Sequence, residues 1–67
     1  MGFATKLREL RGDASQEAAA ASVGVTKSAW AMYERGERVP RDAVKVRIAR
    51  HFGMTVEELF YADIEHK

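Results

Sequence analysis

The sequence predicts an all-α fold, a compact bundle of five short helices. Three observations carry that expectation. Apolar residues recur at three- and four-residue spacings with little strand-like alternation. The helix-like stretches are punctuated by Gly12, Gly24, Gly36 and Gly53, with the single proline, Pro40, between the third and fourth. Three of the stretches open on a capping residue: Ser15, Thr26 and Thr55. Sixty-seven residues make one domain, near the lower limit for a core that stands without staples.

The first helix is expected over 3–11, where Phe3, Leu7 and Leu10 form one apolar stripe while Lys6, Arg8 and Glu9 stay in water. Gly12-Asp13 breaks it. The second, over 15–22, takes Ser15 as N-cap and carries Glu17 in its first turn, where a negative charge suits the helix dipole. Ala19, Ala20 and Val23 share one face, and the small side chains let another helix cross closely. Gly24 supplies the positive φ that ends it, and Val25 is the apolar residue of the turn. The third helix, over 26–35, turns Ala29, Trp30 and Tyr33 inward and Lys27, Ser28, Ala31 and Met32 outward. The fourth, over 41–52, buries Val44, Ile48 and Phe52. The fifth, over 55–60, opens on a Thr55/Glu58 capping box and carries Val56, Leu59 and Phe60. Tyr61 and Ile64 extend its apolar character into a tail over 61–67.

Composition excludes several classes of function. Without cysteine there is no disulfide framework and no thiolate metal site. His51 and His66 lack ligand-like companions and read as surface residues, so no metal is expected. No Ser/His/Asp set and no phosphate-cradling glycine loop is present, and an enzyme is the weakest reading. No cofactor or small-molecule ligand is expected. No apolar run reaches the ~18 residues of a membrane span and no signal peptide is recognisable, which makes a reducing cytoplasm the natural compartment.

The net charge of +1 hides a strong asymmetry. Residues 1–26 balance; 27–50 hold seven basic residues against three acidic, net +4; 51–67 hold one against four, net −3. The positive charge gathers on the third helix, the loop after it and the fourth helix. The pair of helices around Gly24, ending in the basic loop Arg35-Gly36-Glu37-Arg38, has the grammar of a helix-turn-helix, whose second helix is shaped for a DNA major groove.

With the helices placed, the chain resembles the Cro and phage-repressor helix-turn-helix family, the XRE-like regulators with a lambda-repressor-like fold. The resemblance runs from Leu7 to Phe60: LREL at 7–10, Arg11, SQE at 15–17, Ala20, GVT at 24–26, YERG at 33–36, Pro40, FG at 52–53 and VEELF at 56–60. It implies a sequence-specific binder of double-stranded DNA, a transcriptional regulator and most simply a repressor, encoded by a bacterium or phage. Lys27, Ser28 and Met32 match the positions that meet base edges. Gln16, Arg35 and Arg38 match phosphate contacts, and Arg41 extends that set. Glu34 matches a glutamate that forms a buried ion pair with an arginine at the end of the first helix, here Arg11; such a pair is costly to bury and more costly to half-remove.

Three departures from the family pattern stand out. The connection from Arg11 to Gln16 is about two residues short. Ala19 stands where leucine is usual and Trp30 where isoleucine or leucine is, which reads as a compensating swap of volume. Lys45 occupies a common core-leucine position while Val46 points away from the apolar stripe, leaving the register of the fourth helix open. One such domain reads few base pairs, so a two-fold homodimer on a palindrome is expected, with Val46, Phe60, Tyr61 and Ile64 as candidate contacts. The rival reading is a protein-interaction module on the same fold, an antirepressor or antitoxin-like adaptor. Restriction–modification controllers also share these features.

Overall fold

A computed structural model describes residues 2–61 of the chain. Its elements are α1 (Gly2–Arg11), α2 (Gln16–Val23), α3 (Lys27–Arg35), α4 (Asp42–His51) and α5 (Val56–Phe60). Among the described residues there is no strand. Each boundary lies within a residue or so of its expected place because the caps act locally. Ser15, Thr26 and Thr55 sit as N-caps just outside α2, α3 and α5, their hydroxyls accepting from the N–H groups of Ala18, Ala29 and Glu58. Glu58 returns the bond to Thr55, completing the capping box. Arg41 occupies the same place before α4 without a side-chain cap.

α2 packs on α3, α1 crosses α3, α4 closes over α2, and α5 bridges α1 and α4. Leu7, Trp30 and Ile48, one each from α1, α3 and α4, are completely buried at the centre. Ala19, Ala20 and Ala49 are buried around them, and at such positions a missing side chain lets two helix backbones approach. Phe3 meets Phe60 with ring centroids 5.6 Å apart, which fastens α5 to α1.

Two expectations need correcting. The buried face of α4 is Lys45, Ile48 and Ala49, with Val44 and Phe52 only half-buried at its margins. Lys45 is 8% exposed. Its aliphatic stem fills the core position, and its ammonium emerges 4.7 Å from the Tyr61 ring and 5.7 Å from that of Phe60, donating a hydrogen bond to the Tyr61 hydroxyl. The second correction concerns the volume swap. The indole of Trp30 is fully buried, as the swap requires. Yet a groove of about 210 Å³ stays open beside Ala19, lined also by Leu10, Ala14, Ala18, Ser22 and Phe52. Trp30 does not line that groove, so its volume does not replace the leucine side chain there.

Candidate nucleic-acid interface

The turn between α2 and α3 is built by backbone bonds. Gly24 adopts the left-handed conformation, φ 75°, that only glycine enters freely, and its N–H donates to the Ala21 carbonyl. Val25 donates to Ala20 at 3.0 Å. Thr26 then caps α3, so Lys27 and Ser28 are the first side chains of a helix whose start is fixed. α3 turns Trp30, Tyr33 and Glu34 inward. Lys27, Ser28 and Arg35 are exposed, whereas Ala31 and Met32 are half-buried. The outward strip is widest at the N-terminal end of the helix and narrows at Met32.

Glu34 is the hub that holds this helix to its neighbours. Its carboxylate is 2% exposed and accepts from Arg11 Nε at 2.6 Å and Nη2 at 3.0 Å, from Gln16 Nε2 at 3.0 Å and from Trp30 Nε1 at 2.5 Å. Burial alone pushes the carboxyl pKa up; the hydrogen bonds from Arg11, Gln16 and Trp30, with the Arg11 charge, more than offset this and hold it below its ordinary value. The bond to Glu34 pushes Arg11 further up. Arg8, expected in water, donates from Nη1 to the backbone carbonyl of Glu34 at 2.6 Å. The expected ion pair is therefore present, inside a larger network that ties α1, α2 and α3 together.

Gln16 belongs to that network as well as to the surface. One amide hydrogen goes to Glu34, so the second, and the N–H of this first helical residue, are what remain for a phosphate. Arg35 pairs with Glu37 at 3.0 Å, both side chains more than half exposed, and the hydrogen bond between them lowers the Glu37 pKa and raises that of Arg35. Arg35 uses Nε and Nη2 on Glu37 and keeps Nη1 for another acceptor. Arg38 and Arg41 are exposed and make no ion pair among the described residues. Of the dimer candidates, Val46 is 41% exposed, Phe60 and Tyr61 are half-buried against Phe3 and Lys45, and Ile64 lies outside the described residues. Val39, 60% exposed in the loop before Pro40, is an apolar surface residue that no periodicity in the sequence marks.

Arg47 is a further residue that sequence reasoning misses. From α4 it donates through Nε to the Val23 carbonyl at 2.9 Å, at the turn that leads into α3. The Trp30–Glu34 bond is readable from the sequence in principle, since residues four apart on a helix face each other. The Arg8 and Arg47 bonds span 26 and 24 residues and depend on how the helices cross.

The helix-turn-helix domain family matches residues 3–60 of the chain. The chain is 34% identical over 59 residues to a Vibrio cholerae protein named cryptic phage CTXphi transcriptional repressor RstR, covering 85% of this chain and 53% of that one. It thus spans about half the length of that relative. It is 35% identical over 63 residues to the Bacillus subtilis (strain 168) protein named uncharacterized HTH-type transcriptional regulator YgzD, covering 91% and 96%. No solved structure matches significantly. A family match over nearly the whole described chain, on a fold whose second and third helices form the motif, establishes that this chain belongs to the helix-turn-helix domain family, in the XRE-like group its sequence resembles.

Proposed function

We propose that the chain is a sequence-specific double-stranded DNA-binding transcriptional regulator, most simply a repressor, that places α3 in the major groove. The observation that carries this reading is the exposed pair Lys27 and Ser28 at the capped start of α3, flanked by the exposed arginines 35, 38 and 41. Lysine can donate to guanine O6 and N7, serine pairs with several bases, and the half-buried Met32 offers its thioether to a thymine methyl. Gln16, Arg35, Arg38 and Arg41 hold the phosphates and set affinity and orientation without carrying sequence information.

A single copy reads too few base pairs for a unique site, and the reading includes a homodimer on a palindrome with half-sites about one turn, ~34–36 Å, apart. Val46 is the exposed candidate for that contact; Phe60, Tyr61 and Ile64 would join it where α5 ends. No cofactor, metal or small molecule enters this reading. A cytoplasmic site of action goes with it; no helix of the described residues is long and apolar enough to cross a membrane.

Selection of bound sequences from random duplex DNA tests this directly. An enriched palindrome is expected, its spacing giving the dimer geometry. Enrichment of a single half-site would remove the dimer and keep the DNA reading. No enrichment would remove both and favour the interaction module.

A further inference from the structure

We propose that Arg47, which lies outside the helix-turn-helix, is a positioning residue that fixes the base-reading end of α3 by clamping the turn in front of it. This rests on the DNA-binding function proposed for the chain. An α-helix leaves its last carbonyls without partners inside the helix. At the end of α2 the Gly24 turn satisfies two of them, Ala20 and Ala21, by backbone N–H groups at 3.0 and 3.3 Å. The carbonyls of Val23 and Gly24 follow, with Ser22 between. Arg47 takes both, Nε donating to Val23 at 2.9 Å and Nη2 reaching Gly24 at 3.5 Å. Its guanidinium also covers the turn glycine, since a Cβ on Gly24 would stand 3.5 Å from Nε.

The three glycine turns differ in how their following carbonyls are met. α3 and α4 end in turns of the same design, with Gly36 and Glu37, and Gly53 and Met54, donating back to the preceding carbonyls. At the end of α3, Arg8 from α1 donates to the Glu34 carbonyl at 2.6 Å, and among the described residues no side chain donates to the last carbonyls of α4. Arg47 meets both at the turn that aims Lys27 and Ser28.

Those two residues lie only three and four positions beyond Gly24, with only Val25 and Thr26 between. A small rotation at Gly24 therefore swings both side chains together, and bidentate base contacts tolerate little displacement. α4 packs on α2, so the clamp is anchored to the body of the domain. A charged donor on a partly buried carbonyl is also among the stronger hydrogen bonds available to hold such a turn. Nε is held by the turn while Nη1 makes no bond among the described residues, so a direct phosphate contact is the alternative the test must separate.

The test compares Arg47→Met and Arg47→Lys with the unaltered protein on two duplexes: the sequence enriched from the random pool, and a scrambled duplex of equal length. Arg47→Met is expected to keep its helical circular dichroism, to speed hydrogen exchange at the Gly24 and Val25 amides, and to bind the enriched duplex roughly tenfold more weakly. Affinity for the scrambled duplex and both salt slopes should stay unchanged. Arg47→Lys, which keeps the charge but can reach one carbonyl at a time, should fall between, and carries the test if the methionine variant does not fold. Equal weakening on both duplexes with a salt slope smaller by about one unit would make Arg47 a phosphate contact and overturn the proposal. Unchanged binding of the enriched duplex would also overturn it, leaving a cap that serves stability alone. If the unaltered protein enriches no duplex, the DNA reading fails first, and that result is in hand before either variant is tested.

Discussion

Replacing Trp30 probes the centre of the domain and the Glu34 hub together. The indole is fully buried in the core, and its Nε1 donates to the Glu34 carboxylate at 2.5 Å. Trp30→Ala removes the largest side chain in the core and should cost about 3–5 kcal/mol. A domain of this size has about 3–10 kcal/mol in total. The alanine variant should therefore be largely unfolded or lose tens of degrees in Tm, at roughly 4–8 °C per kcal/mol. Trp30→Phe is the finer probe. It keeps most of the bulk, withdraws one donor from a buried carboxylate, and should cost about 1.5–3 kcal/mol, mostly through that bond. Urea titration followed by circular dichroism at the helix band measures both, since the single tryptophan is lost. In a Glu34→Gln background the Trp30→Phe loss should shrink by about 1 kcal/mol or more, because the acceptor is no longer charged. Near-native stability of Trp30→Ala, or strict additivity of Trp30→Phe and Glu34→Gln, would refute the packing and the hub respectively.

Other consequences are as direct. Arg11→Met should destabilise more than Glu34→Gln, because the first strands a carboxylate that is 2% exposed whereas the second leaves a guanidinium that is 21% exposed and can turn to water; the reverse order in urea midpoints would contradict this. The Glu34 pKa is lowered on folding from its ordinary value of 4.5, so its contribution is present above that pH and is lost as pH falls through the lower folded value; Glu34→Gln should flatten this acid limb of the stability profile. Ala19→Leu should extend into the open groove and raise stability by about 1 kcal/mol, and a lower urea midpoint would mean the groove cannot take the branch. On the enriched duplex, Lys27→Ala should cost ~1–3 kcal/mol and relax one base position, while Arg38→Ala weakens all sequences alike with a salt slope smaller by about one unit. Uniform loss from Lys27→Ala would make it a phosphate contact instead.

How much of the molecule is legible in its sequence depends on the range of each interaction. Ser15, Thr26 and Thr55 bond three residues ahead, and Gly24 closes its own turn, so helix boundaries can be placed without knowledge of the fold. Leu7, Trp30 and Ile48 are readable as core because each belongs to an apolar stripe with helical spacing. Lys45 breaks its helix's apolar stripe and is marked only by the family's core-leucine position, because its shelter comes from Phe60 and Tyr61 further along the chain. Arg8 and Arg47 escape for the same reason: their acceptors are backbone carbonyls, which no residue type marks. The groove beside Ala19 opens between residues of α1, α2 and the end of α4 that lie far apart in the sequence, so its presence is not legible there.

The amide chemical-shift map of the protein titrated with its enriched duplex asks the decisive question, namely which face meets DNA. The largest changes should fall at Gln16, at Lys27 and Ser28, and through the loop from Arg35 to Arg41, with α5 unchanged except where a second copy docks. Perturbation centred on Val39, Val46 and α5, with Lys27 and Ser28 silent, would mean that the outer face of α3 does not read base pairs.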